Sequence, residues 1–101
     1  MAQFSVYINN NAKTNIEYPY LLNVQNDILG SLHTCVVIPL SLTMNPIKHL
    51  NPVFRIESRS VVMSTAQIAG IDRAILGKEI TNLEEFRRDI VDAIDFMVVG
   101  F

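Results

Sequence analysis

Residues 81–100, "TNLEEFRRDIVDAIDFMVVG", constrain the fold most, because they form the longest segment with a helical hydrophobic period. At about 100° per residue, six apolar side chains share one face: Leu83, Phe86, Ile90, Ala93, Ile94 and Met97. The opposite face carries Arg88, Asp92 and Asp95, and Val99 continues that polar stripe. The sequence therefore predicts an amphipathic helix that buries one stripe and leaves Val99 pointing away from the core.

Both ends of this helix carry recognisable signals. Thr81 or Asn82 can cap the first turn, and Glu84 and Glu85 follow where the helix dipole favours negative charge. Gly100 adopts left-handed backbone angles at little cost, so it is predicted to end the helix.

The residues before the helix read as short strands. Phe4, Val6 and Ile8 alternate with Ser5 and Tyr7, which is the period of a strand. A second strand is predicted at 16–25, with Pro19 at an edge or bulge, and a third at 35–40, buried on both faces, with Pro39 at an end or bulge. The other segments are predicted as a hairpin loop at 9–15, a helical turn within 26–34 stopped at Gly30, a loop at 41–52, a hairpin at 53–65 turning at Glu57–Arg59, and short elements at 67–71 and 74–80 with turns near Gly70 and Gly77.

Many strands followed by one terminal helix indicate an α+β fold, a strongly bent antiparallel sheet with a helix on one face. The length of 101 residues and the absence of a linker or repeat predict a single domain over residues 1–101. Half of the residues are hydrophobic and only 18% are charged, an apolar excess that favours a homodimer.

Charge and composition exclude several classes of function. The net charge is -2 and no basic cluster is present, which argues against direct nucleic-acid binding. No apolar segment reaches the roughly 20 residues of a membrane span, and the N-terminus lacks the pattern of a signal peptide. One cysteine, Cys35, forms no internal disulfide and suits a reducing compartment. We therefore expect a cytoplasmic protein without membrane contact.

Candidate catalytic and metal-binding groups are sparse. His33 and Cys35 are two residues apart, too few for a zinc site, and we interpret Cys35 as a small buried hydrophobe. The carboxylates at 89, 92 and 95 suit a solvated helix face better than a cation site. By its motif content the sequence predicts a binding protein rather than an enzyme, with no metal site.

Five segments, in this order and at this chain length, resemble the CcdB family, toxins of bacterial toxin–antitoxin modules that poison DNA gyrase. They are "QFSVY" (Gln3–Tyr7), "VQNDIL" (Val24–Leu29), "VVIPL" (Val36–Leu40), "PVFRI" (Pro52–Ile56) and "DIVDAIDFMVVGF" (Asp89–Phe101). The resemblance spans essentially the whole chain, although residues 41–51 and the first hairpin loop fit loosely.

The resemblance implies a small SH3-like, barrel-like antiparallel sheet with a C-terminal helix, assembled as a homodimer. It implies a protein that wedges into the gyrase A subunit and traps gyrase with its DNA cleaved, without catalysis or cofactor. It also implies an antitoxin whose disordered C-terminal segment folds on binding. We expect that segment to contact the loops Asn9–Lys13 and Ser41–His49. A role in plasmid maintenance would fit the family, but the sequence does not indicate whether the gene is plasmid-borne or chromosomal.

Residues matching the family's gyrase-contacting positions lie in two segments: Asn26, Ile28 and Leu29 in the first, and Asp95, Val98, Val99, Gly100 and Phe101 in the second. The best-known family pattern has an asparagine at position 95, an aromatic residue at 98, a tryptophan at 99 and an isoleucine at 101. Valine at 99 offers neither the stacking nor the area of tryptophan. Poisoning of a different gyrase, weak poisoning and a non-toxic homologue that keeps dimerisation and antitoxin binding therefore stay open.

An endoribonuclease is the alternative of another class, since other toxins of similar fold cut RNA. RNA cleavage needs an acid, a base and cationic groups around the phosphate. The sequence offers Arg55, Arg59, His49 and Asp72 for these roles, scattered over different segments.

Overall fold

The computed structural model of the chain describes residues 2–100. Within that range seven β-strands precede one α-helix. The strands are β1 (Ser5–Asn9), β2 (Tyr20–Asn23), β3 (Thr34–Ser41), β4 (Val53–Ile56), β5 (Arg59–Met63), β6 (Ala69–Asp72) and β7 (Leu76–Asn82), and the helix is α1 (Arg87–Val99). Single 3-10 turns lie at Asp27–Leu29, Thr65–Gln67, Arg73–Ile75 and Glu84–Phe86.

The strands form one antiparallel sheet in the order β4-β5-β3-β2-β1-β7, with β6 paired to β3. The sheet curls into a half-barrel, and α1 follows the last strand. This architecture confirms the predicted α+β fold with a bent sheet and a C-terminal helix.

β3 changes its pairing partner along its length. Thr34–Val37 pairs with β6, whereas Leu40 and Ser41 pair with β5. Pro39 lies between the two ladders, and its carbonyl accepts a hydrogen bond from the Ser64 N–H at 2.9 Å. The nitrogen of Pro39 faces the same edge of β3 as its carbonyl, in the interval between the β6 and β5 pairings. Its missing N–H therefore removes no ladder hydrogen bond. Pro39, predicted at an end or bulge, lies instead at a junction inside the strand.

The main core lies between one face of the sheet and α1. Ile90 and Ala93 are 0% and 1% exposed, and they contribute to a cluster drawn from both layers: Phe4, Val6, Tyr20, Leu22, Ile38, Leu40, Phe54, Ile56, Val61, Met63 and Leu83. Ile94 is half-buried against this cluster, and Met97 is also half-buried. The predicted buried stripe of the helix is therefore correct except at Phe86, which is 38% exposed and packs 5.5 Å from the Phe54 ring.

A smaller apolar cluster lies apart from this core. Leu21, Cys35 and Val37 are buried there, with Ile71 and Ile75 packed against them. β1 is also buried on both sides, since Ser5 and Tyr7 are as inaccessible as their apolar neighbours. The alternation in β1 therefore distinguishes the two faces of the strand, but neither face is exposed to solvent.

Three predicted details of the strands are wrong. β2 begins at Tyr20 rather than at residue 16, and Ile16 is 87% exposed. Gly70 and Gly77 lie inside β6 and β7 rather than in turns. At Gly77 an added Cβ would stand 3.0 Å from the Ile8 carbonyl oxygen of β1, so glycine permits β1 and β7 to approach closely.

The helix ends as predicted but starts later. Asn82 is the last residue of β7, and its side-chain oxygen accepts a hydrogen bond from the Glu84 N–H at 2.8 Å. This bond lies just before the 3-10 turn, and neither Thr81 nor Asn82 is the cap of α1, whose cap position is Phe86 without a side-chain hydrogen bond. At the other end, Gly100 has φ +67° and ends α1 in the left-handed conformation.

Candidate functional site

The end of α1 presents apolar side chains to solvent. Val98 and Val99 are 71% and 72% exposed, and Asp95 is exposed one turn before them. Gly100 then turns the backbone away from the helix axis. The structure therefore places four of the residues matched to the family's gyrase-contacting positions on one helix end, while Phe101 lies outside the described residues.

The other matched residues form the short turn between β2 and β3. Asn26 holds this turn, because its side-chain oxygen accepts a hydrogen bond from the Ile28 N–H at 2.9 Å. Ile28 is 86% exposed and Leu29 45% exposed. The local role of Asn26 is thus to present two apolar side chains on a fixed turn.

Gln3 connects this turn to the beginning of α1. Its backbone N–H donates to the Asp27 carboxylate at 2.7 Å, and its side-chain oxygen accepts from the Arg87 guanidinium at 3.4 Å. Val99 lies twelve residues after Arg87, roughly 18 Å along the helix axis. Within one chain, Val98 and Val99 therefore lie at the C-terminal end of α1, whereas the turn that carries Ile28 and Leu29 is linked to its N-terminal end.

An apolar cavity of about 330 Å³ lies beneath the loop between β1 and β2. Its lining combines apolar side chains, from the sheet and from the turn Arg73–Ile75, with polar ones. The apolar residues are Leu21, Val37, Pro39, Ala69, Ile71 and Ile75, and the polar ones, with Tyr18, are Asn9, Asn11, Thr14 and Gln67. The Asn9 amide donates to Thr14 at 3.0 Å and to the Tyr18 carbonyl at 2.9 Å, which holds the loop over the cavity. Sequence reasoning missed this cavity because its walls come from strands distant in the chain.

A second, polar cavity of about 350 Å³ separates α1 from the loop that follows β3. His49, Asn51, Asp89 and Asp92 line it, and the His49 ring lies 6.0 Å from the Phe96 ring. Asn51 is buried and satisfied, since its amide donates to the Met63 carbonyl and its oxygen accepts from the Ile47 N–H. Of the two loops predicted to contact the antitoxin, Ser41–His49 contributes His49 to this polar cavity, and Asn9–Lys13 contributes Asn9 and Asn11 to the apolar one.

The groups suited to acid–base chemistry meet at one place, the tip of the β4–β5 hairpin. The Tyr20 hydroxyl donates to the Glu57 carboxylate at 2.6 Å and accepts from the Arg59 guanidinium at 2.9 Å. Burial raises the pKa of Tyr20, Glu57 raises it further, and Arg59 lowers it. Glu57 and Ser58 have positive φ angles and form the predicted turn. Tyr20 is only 2% exposed, so this trio chiefly ties the hairpin to β2.

The remaining candidates are separate from one another. His33 is exposed. Cys35 is 1% exposed, and the pKa of its thiol is raised, because the effect of burial exceeds the lowering by Arg73. Among residues 2–100 no three histidine, cysteine or acidic side chains stand close enough to hold a metal ion. No helix in that range is long and apolar enough to cross a membrane.

Solved structures share the fold at low sequence identity. The Mycobacterium tuberculosis toxin MazF-mt6 aligns with a TM-score of 0.75 and 16% identity, over 90% of this chain and 92% of that one. An endoribonuclease from a mycobacterial species aligns with a TM-score of 0.76 and 16% identity, over 100% and 92%. A mycobacterial endoribonuclease in complex with its cognate antitoxin aligns with a TM-score of 0.74 and 16% identity, over 100% and 96%.

A protein-family model agrees with the sequence resemblance. The model described as "CcdB protein" matches residues 3–100, nearly the whole chain. The chain therefore belongs to the CcdB family, which supports its assignment as the toxin of a toxin–antitoxin system.

Proposed function

We propose that this toxin binds the A subunit of DNA gyrase in the bacterial cytoplasm and traps the complex with cleaved DNA. The exposure of Val99, 72% at the end of a well-packed helix, is the observation that supports this proposal most strongly. Exposed apolar side chains at a fixed position mark protein contacts more often than catalytic sites. The protein acts by contact, without catalysis, cofactor or direct nucleic-acid binding.

Gyrase poisoning depends on position 99 in this proposal. We expect Val99→Ser to reduce DNA cleavage by gyrase about tenfold, and Val99→Trp to increase it, because an aromatic anchor adds roughly 2 kcal/mol at a hot spot. Ile28→Ser should also reduce cleavage. The measurement is the amount of linear DNA formed by purified gyrase at increasing toxin concentration.

Ile16 provides the matched control, because it is as exposed as the two valines but lies in the β1–β2 loop. Ile16→Ser should leave DNA cleavage unchanged. Wild-type protein that produces no cleaved DNA, or equal cleavage by the Val99→Ser and wild-type proteins, would contradict the proposal.

We propose a homodimer on the basis of an apolar stripe on the flank of α1. Val91, Ile94 and Val98 recur at three and four residues, the spacing of a helix–helix seam. Val91 and Ile94 are only half-buried within one chain, and Val98 is exposed. A second copy would cover the stripe and bring two helix ends to one target.

Val98 lies on this stripe and Val99 lies on a different face of α1, because neighbouring helical residues point about 100° apart. Val98→Asp should therefore convert the dimer to a monomer, and Val99→Asp should not. Sedimentation equilibrium at micromolar concentration distinguishes the species. A wild-type monomer, or equal dissociation of both variants, would exclude this interface.

The antitoxin is the second proposed partner, and the cavity beneath the β1–β2 loop suits an apolar side chain of its C-terminal segment. Its volume and its lining of apolar and polar side chains are those of a preformed anchor site. The predicted loop Asn9–Lys13 contributes to that lining, whereas the expectation for Ser41–His49 gains no such support.

Ala69 is an exposed wall residue of this cavity, so Ala69→Trp should fill it. We expect this variant to arrest growth like wild type while coexpressed antitoxin no longer restores growth. Rescue of the Ala69→Trp variant by antitoxin would place the contact elsewhere.

RNA cleavage is the second candidate function, favoured by the fold shared with endoribonucleases. Glu57, Tyr20 and Arg59 are the groups that could serve it, since they meet at the β4–β5 hairpin. Their charges offset each other and Tyr20 is buried, so they offer little attraction to a phosphodiester.

We expect no specific cleavage when the purified protein is incubated with cellular RNA. Sequencing of RNA ends measures this directly. Site-specific cuts that disappear in the Glu57→Gln variant would establish the endoribonuclease function in place of the proposed one.

A further inference from the structure

The turn that presents Ile28 and Leu29 lies over a buried glutamine. Gln25 is 8% exposed, whereas Ile28, three residues later, is 86% exposed. A glutamine side chain is stable inside a protein where neighbouring groups satisfy its amide, which carries two donors and an acceptor oxygen. The partners of Gln25 therefore show which parts of the structure it holds together.

Gln25 continues the β2–β3 ladder with its side chain. The last pair of the ladder is Asn23 with Val37. Just beyond it, the Val24 N–H donates to the Val36 carbonyl at 3.0 Å. In a regular antiparallel pair the Val36 N–H would return a bond to the Val24 carbonyl. It donates instead to Oε1 of Gln25 at 3.1 Å, so a side-chain oxygen takes the place of a backbone carbonyl at the end of the ladder.

This exchange lets the backbone leave the sheet and form the exposed turn. The Val24 carbonyl accepts a hydrogen bond from the Gln3 side-chain amide at 3.1 Å, so it stays satisfied outside the ladder. Nε2 of Gln25 donates to the Leu29 carbonyl at 3.1 Å and to the Thr34 carbonyl at the longer distance of 3.4 Å. One buried side chain thus connects β3 to the last residue of the 3-10 turn.

The outer side of the turn has weaker, exposed anchors. The Asp27 carboxylate accepts from the Gln3 backbone N–H at 2.7 Å, and the Leu29 carbonyl also accepts from the Arg73 guanidinium at 3.5 Å. Water can replace an exposed partner, whereas a buried donor or acceptor that loses its partner carries the full penalty of desolvation. Gln25 therefore fixes the turn more firmly than the anchors at the surface do.

We infer that Gln25 is a positioning residue for the gyrase contact, an inference that rests on the proposed function. Because it is buried, it acts through Ile28 and Leu29, whose exposed side chains it holds in one place. A turn that is ordered before binding avoids the entropy loss of being ordered in the complex, which strengthens binding. Loss of the Gln25 amide should weaken the contact made by the turn and leave the contact made by Val99 unchanged.

The first test is local and needs no target. Amide hydrogen exchange is measured by NMR in the free full-length protein at Leu29 and Gly30, whose N–H groups close the turn. Gln25→Met keeps the approximate size of the side chain and removes its amide. The two turn amides should then exchange at least about tenfold faster, because the turn opens locally. Unchanged exchange at both positions would overturn the inference.

Asn51 provides the matched control. It is likewise buried, and its amide donates to the Met63 carbonyl and accepts from the Ile47 N–H, which ties a different loop to the sheet. Asn51→Leu should lower the melting temperature as Gln25→Met does, without changing exchange at Leu29, because amides that open locally do not report global stability. Equal acceleration in both variants would overturn the inference. If Gln25→Met does not fold, Gln25→Asn replaces it, since an amide that is a methylene shorter does not reach both β3 and Leu29.

The second test measures binding of the same proteins to a gyrase A fragment by calorimetry. Gln25→Met should weaken binding about tenfold, and Ile28→Ser added to it should weaken binding no further, because both changes remove one contact. Val99→Ser added to it should multiply the losses, since Val99 lies outside the turn. Asn51→Leu should bind like wild type. Full affinity in Gln25→Met, or losses that multiply with Ile28→Ser, would overturn the inference even if gyrase is the target.

Growth arrest separates this inference from the identity of the target. If wild type arrests growth without binding gyrase, the gyrase proposal alone fails, and the same variants are compared by the expression level needed for arrest. Gln25→Met and Ile28→Ser effects that do not add then support the positioning role toward another target, and effects that add overturn it. A wild type that neither binds gyrase nor arrests growth contradicts both proposals.

Discussion

The packing of α1 on the sheet is the contact on which the functional surface depends. Ile90 and Ala93 are almost completely inaccessible, so the rotation of the helix about its axis is fixed by its central turns. Each residue turns the helix by about 100°, and a shift of one residue would move Val99 toward the core flank. The core therefore determines which side chains the helix end presents, although none of the last three described residues is buried in it.

The sheet positions this helix by changing direction within β3. The strand hydrogen-bonds to β6 along its first half and to β5 at its end, and Pro39 occupies the interval between them. One edge of this strand thus belongs to two ladders, while the other edge pairs with β2, which lets a small sheet curl and enclose the cluster beneath α1. The same bend exposes the apolar walls on which the cavity beneath the β1–β2 loop is built.

Local periodicity predicted the helix and its exposed end well, because a helix phase is set by residues close in sequence. The left-handed Gly100 and the hairpin at Glu57 followed from similarly local signals. Gly70 and Gly77 were assigned wrongly, since a glycine inside a strand looks like a turn glycine in sequence, and only at Gly77 would an added Cβ press on a neighbouring strand. The exposure of Phe86 depends on Phe54, more than thirty positions away, and both cavities depend on such distant pairings.

The scaffold itself does not decide between gyrase and RNA as the target. Toxins described as endoribonucleases share the curled sheet and helix at 16% identity, a level at which surfaces have diverged while the fold persists. The two proposed functions differ in which exposed groups would have to contact the target. At the β4–β5 hairpin a carboxylate, a phenol and a guanidinium satisfy one another. At the helix end, by contrast, Val98 and Val99 are 71% and 72% exposed, so an apolar surface is available to a partner there.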